Sequence, residues 1–332
     1  MSTSTLSGAA SASTMSRPYS GAGGPLTDVA RDVTCLQVMI VNAFFFGDPA
    51  DGRENWVLVD AGMPFTAARF REAAEQRFGP GARPRAIILT HAHFDHVGAL
   101  ETLAREWDVP VYAHEMELPY ITGRAEYPPP DPTVGGGAMA RLSFLYPRGP
   151  WNVGNRALRL PPDGSVPHMP GWRWVATPGH SPGHVSFFRD RDRVLLAGDA
   201  FVTTRQESAV SALTQRPQLN GPPRYFTQDW ALARSSVRRL AELNPAVAAT
   251  GHGPAMTNPR LMHDLNDLAR RFDELARPRK GRYVREPAVF DNEGVVSIPP
   301  PVPDPWPALF LAGTVAGVAL ATAAVTRRRE DA

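Results

Sequence analysis

Residues 91–96, with the sequence His-Ala-His-Phe-Asp-His, place three imidazoles and one carboxylate in six consecutive positions. In an extended or loop backbone His91 and His93 project to the same side, because side chains alternate with a period of two. Asp95 and His96 can then turn toward a second point nearby. The alternative is a polar surface turn, but the chain has nine histidines in 332 residues, so such a cluster is improbable by chance. The segment therefore predicts a loop that serves two adjacent metal ions.

Three further residues of metal-ligand type come later, each after a short apolar run that is typical of a strand. They are His180, Asp199 and His252, and the preceding runs are residues 172–176, 194–197 and 247–250. A side chain just beyond a strand end, on a turn that contains glycine, is held rigidly and exposed at one edge of a sheet. One such residue is common in loops, but the three in this order reinforce the prediction of a metal site.

The order of these motifs along the chain is highly specific. Residues 57–62 read Val-Leu-Val-Asp-Ala-Gly, residues 91–96 follow, and His180, Asp199 and His252 complete the set. This arrangement resembles the metallo-β-lactamase superfamily, in its glyoxalase-II-like and lactonase-like branch, over about residues 31–280. The resemblance implies an α/β fold, the four-layer αβ/βα sandwich. In that fold two mixed β-sheets face each other between outer helices, and the metal cleft runs along one edge.

The resemblance also implies a role for each residue. His91, His93 and His180 would hold one metal ion, Asp95, His96 and His252 would hold a second, and Asp199 would bridge the two. Asp60 would be a structural residue that ties its strand end to the metal loop. His184 follows a ligand by four residues, but the two-metal site is complete without it, so we expect it to pack behind the ligands.

The ligand types indicate the chemistry. Imidazole and carboxylate without thiolate suit Zn²⁺ and also tolerate Fe or Mn, so we predict two zinc ions per chain. Two metals about 3.5–4 Å apart can share a water and lower its pKa toward about 7. The predicted function is hydrolysis, in which hydroxide attacks the carbonyl of an ester, thioester or lactone of a small or lipid-like substrate. Asp95 and Asp199 are the catalytic candidates, and Asp95 would orient the water and shuttle a proton.

Two other functions stay open. An oxidoreductase similar to the persulfide dioxygenases would use a subset of these ligands, and it predicts one iron per chain and oxygen consumption. A membrane-tethered binding protein with a vestigial metal site would retain metal poorly. The complete second set, Asp95, His96 and His252, favours the hydrolase. Within the superfamily, Asp199 stands where some β-lactamases need cysteine, and Val202 stands where acyl-homoserine lactonases usually have tyrosine.

Two stretches interrupt the core of the predicted catalytic domain. Residues 120–171 and 201–229 are rich in proline, glycine and aromatic residues. In this superfamily, insertions at these places form the substrate walls, which makes Arg224, Tyr225 and Phe226 candidate substrate contacts. Packing loops without a role in binding are the alternative. Long loops in compact domains tend to be functional or disordered, and the aromatic residues argue against disorder.

Apolar runs and helical spacing predict the elements that carry the first motifs. We expect strands over residues 36–46, 56–59 and 86–89, and helices over residues 65–78 and 97–107. The helix over residues 65–78 rests on four apolar side chains at helical spacing. The strand over residues 86–89 would deliver the metal loop, and the second helix would open directly on that loop.

The two ends of the chain are expected to differ from the catalytic domain over residues 31–280. Residues 1–30 are predicted to be a disordered lead, and residues 281–307 a proline-rich linker. Residues 308–326 carry no charge over about nineteen positions, which predicts a transmembrane helix. Gly313 and Gly317 form a small-residue pattern suited to helix association. Residues 327–332 would be a tail with basic and acidic residues.

Composition limits the partners. The net charge of +2 offers no general electrostatic case for nucleic acid, so a small-molecule substrate is the expected partner. The single cysteine excludes an intrachain disulfide. Because no secretory signal precedes the catalytic domain, we expect the domain to be held on the cytoplasmic side by the anchor. Arg327, Arg328 and Arg329 after the span favour the opposite orientation.

Overall fold

Two mixed β-sheets form the centre of the fold in the computed structural model, which describes residues 26–306, 308–310 and 312. The first sheet has seven strands in the order β1 to β7, and the second has five in the order β12-β11-β10-β9-β8. A two-stranded hairpin, β13–β14, lies apart from both sheets. The strands are β1 Leu26–Ala30, β2 Val33–Val38, β3 Val41–Phe46, β4 Val57–Val59, β5 Ala86–Ile88, β6 Val111–Ala113, β7 Ala157–Arg159, β8 Trp172–Ala176, β9 Val185–Arg189, β10 Val194–Leu196, β11 Val247–Ala249, β12 Met256–Thr257, β13 Val289–Asp291 and β14 Gly294–Ser297.

Helices cover the outer faces of the two large sheets. On α1, the buried side chains Phe70, Ala73, Ala74 and Phe78 recur at helical spacing and pack on the first sheet. Helices α7 and α8 pack on the second sheet in the same way. The helices are α1 Ala67–Phe78, α2 Phe94–Val97, α3 Leu100–Trp107, α4 Leu118–Ile121, α5 Ala138–Arg141, α6 Ala209–Thr214, α7 Trp230–Glu242, α8 Arg260–Arg270, α9 Phe272–Leu275 and α10 Arg282–Arg285.

The strands at the centre are buried on both faces, which explains why their sequences are almost continuously apolar. On β4, Leu58 faces the helices while Val57 and Val59 face the other sheet. On β10, Leu195 faces the helices of the second sheet and its neighbours face inward. The inward side chains of both sheets form one core. The predicted mixed α/β class with two mixed sheets is therefore confirmed.

Two of the predicted elements are interrupted. The strand expected over residues 36–46 is a hairpin of β2 and β3, in which Val38 pairs with Val41 and Met39 has φ of 58°. The helix expected over residues 97–107 is divided at Gly98. A Cβ at Gly98 would lie 2.1 Å from the backbone nitrogen of Pro64, so the chain needs glycine at this close approach.

Parts of the predicted lead and of the predicted linker form regular secondary structure. Leu26–Ala30 forms β1 and pairs with β2, so the prediction of disorder is wrong for these residues because they add a strand to the sheet. Residues 1–25 lie outside the described residues. The range 281–307, predicted as a linker, contains α10 and the β13–β14 hairpin. The hydroxyl of Tyr283 donates to the Pro129 carbonyl at 2.6 Å, so this segment is tied to the catalytic domain.

The prediction of a transmembrane helix over residues 308–326 is wrong. Among the described residues, no helix combines the length and the apolar character that crossing a membrane requires. The run consists largely of alanine, glycine and threonine, which favour insertion much less than leucine or isoleucine. The predictions of membrane anchoring and a C-terminal hydrophobic helix are corrected with it. Residues 313–326, with Gly313 and Gly317, and the tail over residues 327–332 lie outside the described residues.

Candidate metal centre

The strand ends of both sheets meet at one edge and bring the predicted ligands together. His91 and the residues after it follow β5, and Asp60 follows the neighbouring parallel strand β4. Asp199 and His252 follow the parallel pair β10 and β11. Parallel neighbours end at the same edge of a sheet, so each sheet delivers its ligands to this edge.

Asp60 fixes the metal loop from behind. Its carboxylate accepts hydrogen bonds from the Thr90 backbone N–H and the Thr90 hydroxyl, both at 2.8 Å. The same carboxylate lies 2.9 Å from His96 Nδ1 and orients that ring. Asp60 is fully buried, so these contacts replace the water that the carboxylate loses. Asp60 thus ties the end of β4 to the metal loop, and the role that the resemblance implies for it stays a prediction.

The loop that carries His252 is held in place by the first sheet. His252 Nδ1 lies 2.7 Å from the Ile40 carbonyl oxygen, which can only accept, so Nδ1 carries the proton and Nε2 faces the centre. The side-chain amide of Asn42 donates to the Thr250 carbonyl at 2.8 Å and to the Gly253 carbonyl at 2.7 Å. The β2–β3 hairpin therefore sets the position of a ligand more than 200 residues away in the chain.

The predicted ligands form three overlapping groups whose donor atoms lie within 4.8 Å of one another. The groups are His91, His93 and His180; His91, His96 and Asp199; and Asp95, His96 and His252. The Asp199 carboxylate lies 3.6 Å from His96 Nε2, 3.5 Å from His180 Nε2 and 3.2 Å from His252 Nε2. It therefore stands between the two ends of the cluster. None of these residues is more than 4 % exposed.

Orphaned polar atoms show that the cluster fits a cation. The Nε2 atoms of His91, His93 and His96 and one oxygen of Asp199 are buried without a hydrogen-bond partner. A buried polar atom without a partner is costly, and here four of them lie in one cluster. All four are of the atom types that zinc, iron and manganese bind.

The protonation states also suit a cation. Burial lowers the pKa of His91, His93 and His180 well below the ordinary value, so these rings are neutral and able to bind metal. Burial opposes the charge on Asp199, but His252 and His96 hold the pKa of that carboxyl well below its usual range. The Asp199 carboxylate in turn raises the pKa of His252 to about 10, although burial works against it. The carboxylate thus attracts positive charge to this point.

His184 supports Asp199 from behind the cluster. Its Nε2 accepts a hydrogen bond from the Asp199 backbone N–H at 2.9 Å, so Nδ1 carries the proton and meets the Thr177 hydroxyl at 2.8 Å. Burial lowers the pKa of His184 to about 3 and keeps the ring neutral. Both ring nitrogens of His184 are therefore engaged in hydrogen bonds.

Glu117 joins two ligand loops and was not identified from the sequence. Its carboxylate accepts hydrogen bonds from the Ala92 backbone N–H at 3.0 Å and the Gly183 backbone N–H at 2.7 Å. The hydroxyls of Ser181 and Tyr127 also donate to it. Glu117 is fully buried, although it lies in an acidic stretch that looks exposed in the sequence. The signal that could have found it is its position just after β6, which ends at the same edge.

An aromatic cap, defined here as Phe94, Tyr146, Tyr225 and Phe226, covers the centre. The Phe226 ring stacks on His93 with centroids 4.4 Å apart and an interplanar angle of 20°. The two segments predicted as substrate walls supply three of the four cap residues. Arg224, the third candidate contact, is directed elsewhere, since its guanidinium donates to the Leu275 carbonyl at 3.0 Å. Tyr225 and Phe226 therefore lie at the centre, whereas Arg224 does not.

Comparison with known proteins agrees with this geometry. A family model described as the metallo-beta-lactamase superfamily matches residues 36–252. The probable metallo-hydrolase YflN of Bacillus subtilis (strain 168) is 46% identical over 268 residues, which cover 79% of this chain and 100% of that protein. The probable metallo-hydrolase YybB of the same organism is 29% identical over 203 residues, 61% of this chain and 77% of that protein. A beta-lactamase domain protein from Burkholderia ambifaria has the same fold, with a TM-score of 0.54, 21% identity, and coverage of 78% of this chain and 79% of that chain.

Proposed function

The chain belongs to the metallo-β-lactamase superfamily and is a metallo-hydrolase, and we propose that it hydrolyses an ester, thioester or lactone of a small or lipid-like molecule. The observation that carries this proposal is the three overlapping groups of histidine and aspartate around Asp199. Each half of the cluster has enough nitrogen and oxygen donors for one divalent cation. The Asp199 carboxylate lies between the halves, as a bridging ligand requires.

The residues divide into two ligand sets in this proposal. His91, His93 and His180 would hold one ion, Asp95, His96 and His252 the other, and Asp199 would bind both. Two zinc ions are proposed because the donors include no thiolate, and iron or manganese would accept the same donors. When bound, such a pair of ions lowers the pKa of a water and polarises a carbonyl oxygen.

Asp95 is the residue proposed to move the proton. One of its oxygens lies 3.4 Å from His252 Nε2, and the side chain is buried near the Tyr146 and Tyr225 rings of the cap. Burial opposes its charge, but the hydrogen bond with His252 lowers the pKa of Asp95 and keeps it ionised. An ionised carboxylate here can accept a proton from the attacking water and return it to the leaving oxygen or sulfur.

The aromatic cap supports an apolar acyl group. Phe94, Tyr225 and Phe226 are each less than 9 % exposed and present ring faces and edges above the centre. A site lined in this way excludes water, which strengthens the electrostatic interactions inside it. An acyl chain can replace the packing among these rings without leaving a polar group unpaired.

Metal analysis combined with a substrate panel tests the proposal. The full chain, purified without chelator or affinity nickel, is assayed for metal content and for turnover of esters, thioesters and lactones. We expect two metal ions per chain and turnover of at least one class, which the Asp199→Ala variant should lose. One iron per chain with oxygen consumption would contradict the proposal. Two bound metal ions without turnover of any class would refute the proposed substrates.

A further inference from the structure

A basic groove lies at the start of the C-terminal segment, outside the metal centre. Residues 277–285 contain five cationic residues and no acidic one. Four of them line a cavity of about 460 Å³ whose other wall is the proline run of residues 299–303. These four cations, which define the basic groove, are Arg279, Lys280, Arg282 and Arg285.

Among the described residues, no carboxylate forms an ion pair with the cations of the basic groove. Arg277 is engaged by the Val284 carbonyl and by Asp273, but in the part of the chain that the structure describes none of the four groove cations has a carboxylate within ion-pair distance. Many other surface arginines, such as Arg71 and Arg148, are paired with glutamates at 2.6 Å. Glu286 is the one acidic residue among those that line the groove. Four cations around one cavity repel one another, and an anion bound between them relieves that repulsion.

The groove shares a wall with the aromatic cap. Asp131 is buried, its carboxylate accepts a hydrogen bond from the Arg282 backbone N–H, and its own N–H donates to the Tyr225 carbonyl at 2.8 Å. A Cβ at Gly281 would lie 3.0 Å from Val134, which packs in the same cluster as Phe226. One layer of residues therefore separates the groove from the ring that stacks on His93. An extended molecule bound in the groove would have to pass only this layer of residues to reach the metal centre.

We propose that the basic groove binds the phosphate groups of the substrate's leaving group, so that the enzyme acts on acyl thioesters or esters of a phosphate-bearing carrier. The inference rests on the proposed hydrolysis for its acyl chemistry. Guanidinium groups bind phosphate with two parallel hydrogen bonds, and three of the four groove cations are arginines. Water adds to the carbonyl carbon, the carbon–sulfur or carbon–oxygen bond breaks, and the products are a carboxylic acid and the protonated phosphate-bearing thiol or alcohol.

Two thioesters with the same acyl-pantetheine part test the inference, since one of them adds an adenosine nucleotide with three phosphate groups and the other carries no phosphate. Butyryl-coenzyme A and S-butyryl-pantetheine are compared with the full, metal-loaded chain. We expect a KM at least ten-fold lower for butyryl-coenzyme A, with similar kcat. The triple variant Arg279→Glu, Lys280→Glu, Arg285→Glu should remove this difference and leave kcat/KM for S-butyryl-pantetheine unchanged. A control with the same change of charge, Arg69→Glu, Arg105→Glu, Arg216→Glu, should keep the difference, because these exposed arginines lie outside the groove.

Direct binding separates failure of this inference from failure of the proposed function. Calorimetry with 3′,5′-adenosine diphosphate should show binding that the groove variant loses and the control variant keeps. Equal KM values for the two thioesters, unaffected by the groove variant, would overturn the inference while leaving the hydrolase intact. If neither thioester is hydrolysed, the proposed thioester activity fails. The calorimetric binding of the nucleotide then shows by itself whether the groove binds phosphate groups. Retention on anionic vesicles without nucleotide binding would also overturn the inference.

Discussion

Three imidazoles of the centre are each oriented by a second group through Nδ1. Asp60 holds His96, the Ile40 carbonyl holds His252, and the Thr90 hydroxyl lies 3.0 Å from His91 Nδ1. Each contact turns Nε2 toward the cluster, and in the neutral ring it keeps the proton on Nδ1, so that Nε2 offers its lone pair to a metal ion. Mutation of residues that orient metal ligands in this way typically lowers metal affinity about 10–100-fold.

Glu117 offers the clearest test at this scale. We expect Glu117→Gln to lower metal affinity about 10–100-fold, because an amide cannot accept from all the donors around the carboxylate and turns its own N–H groups toward them. Competition with a chelating dye measures the affinity. Glu115→Gln is the matched control. Glu115 lies two residues before Glu117 in the chain, but it forms an exposed ion pair with Arg159. An unchanged affinity in Glu117→Gln would show that this carboxylate does not position the ligand loops.

Short elements place the ligands, and tight contacts between their ends limit which residues fit. Between α2 and α3, Gly98 N–H donates to the Gly62 carbonyl at 2.7 Å, and Ala99 N–H donates to the Ala61 carbonyl at 3.1 Å. These bonds hold the start of α3 against the turn after β4, which carries Asp60. The division of the predicted helix thus locks two motifs of the metal centre together.

The Gly98→Ala variant tests this contact. Alanine ordinarily stabilises a helical position by about 1 kcal/mol relative to glycine. Here its Cβ would lie 2.1 Å from Pro64 N and 2.3 Å from the Met63 carbonyl carbon, and neither backbone atom can move alone. We therefore expect a loss of about 1–3 kcal/mol in the free energy of unfolding, measured with urea. Thr102→Ala on α3 is the control, and a Gly98→Ala protein as stable as wild type would rule out the close approach.

At the scale of the whole molecule, the metal centre joins the two sheets. The first sheet supplies the loop of residues 91–96, and the second supplies His180, Asp199 and His252. A cation held by both sheets binds the folded chain and not the unfolded one, so it stabilises the fold by mass action.

Removal of metal should therefore lower the melting temperature. A ligand at about 100 times its Kd contributes about 2.7 kcal/mol, which for a domain of this size corresponds to a shift of at least several degrees. Scanning calorimetry before and after chelation measures the shift, and restored zinc should reverse it. An equal melting temperature for the metal-free and metal-loaded chains would show that the cluster binds no cation of consequence for stability.

A second link between the sheets lies at the end of β9 remote from the metal centre. Arg189 on β9 is buried and donates to Asp32, in the β1–β2 turn, at 2.6 and 2.9 Å. Burial alone would raise the pKa of Asp32, but the hydrogen bond and charge of Arg189 outweigh it and lower the pKa below 3.8. The stability from this pair is complete above the unfolded value of 3.8 and is lost as the pH falls through the lower folded value.

The Asp32→Asn variant should follow that pH dependence. Near neutral pH we expect a loss of about 1.5–3 kcal/mol in the free energy of unfolding, since a hydrogen-bonded charge pair is broken. The gap to wild type should narrow as the pH falls below about 4, because the carboxylate of the unfolded wild-type chain then takes up a proton that the folded chain binds less readily. Urea unfolding from pH 3 to pH 7 measures both effects. Asp190→Asn, in an exposed pair with Arg173, should change stability by less than about 1 kcal/mol, and a gap independent of pH would disprove the linkage.

Much of the site could be predicted from local sequence. The spacing of residues 91–96 and the position of His180, Asp199 and His252 after apolar runs depend only on strand periodicity and turn composition, which are local properties. The family and the mixed α/β class followed from the order of these motifs and are confirmed. The assignment of each residue to one metal ion or the other stays a prediction.

Tertiary structure decided what depends on contacts between distant segments. Nothing in the local sequence distinguishes Glu117 from its exposed neighbour Glu115. Only the fold surrounds Glu117 with hydrogen-bond donors from two ligand loops. Proline content suggested a linker over residues 281–307, but the fold ties that segment to the catalytic domain. An uncharged run suggested a membrane helix, but the described residues contain no helix of that kind. Composition reports what a segment can do in isolation. Burial, hydrogen bonds and charge pairing across the fold then select one of those possibilities, because their free energy depends on neighbours that are remote in the chain.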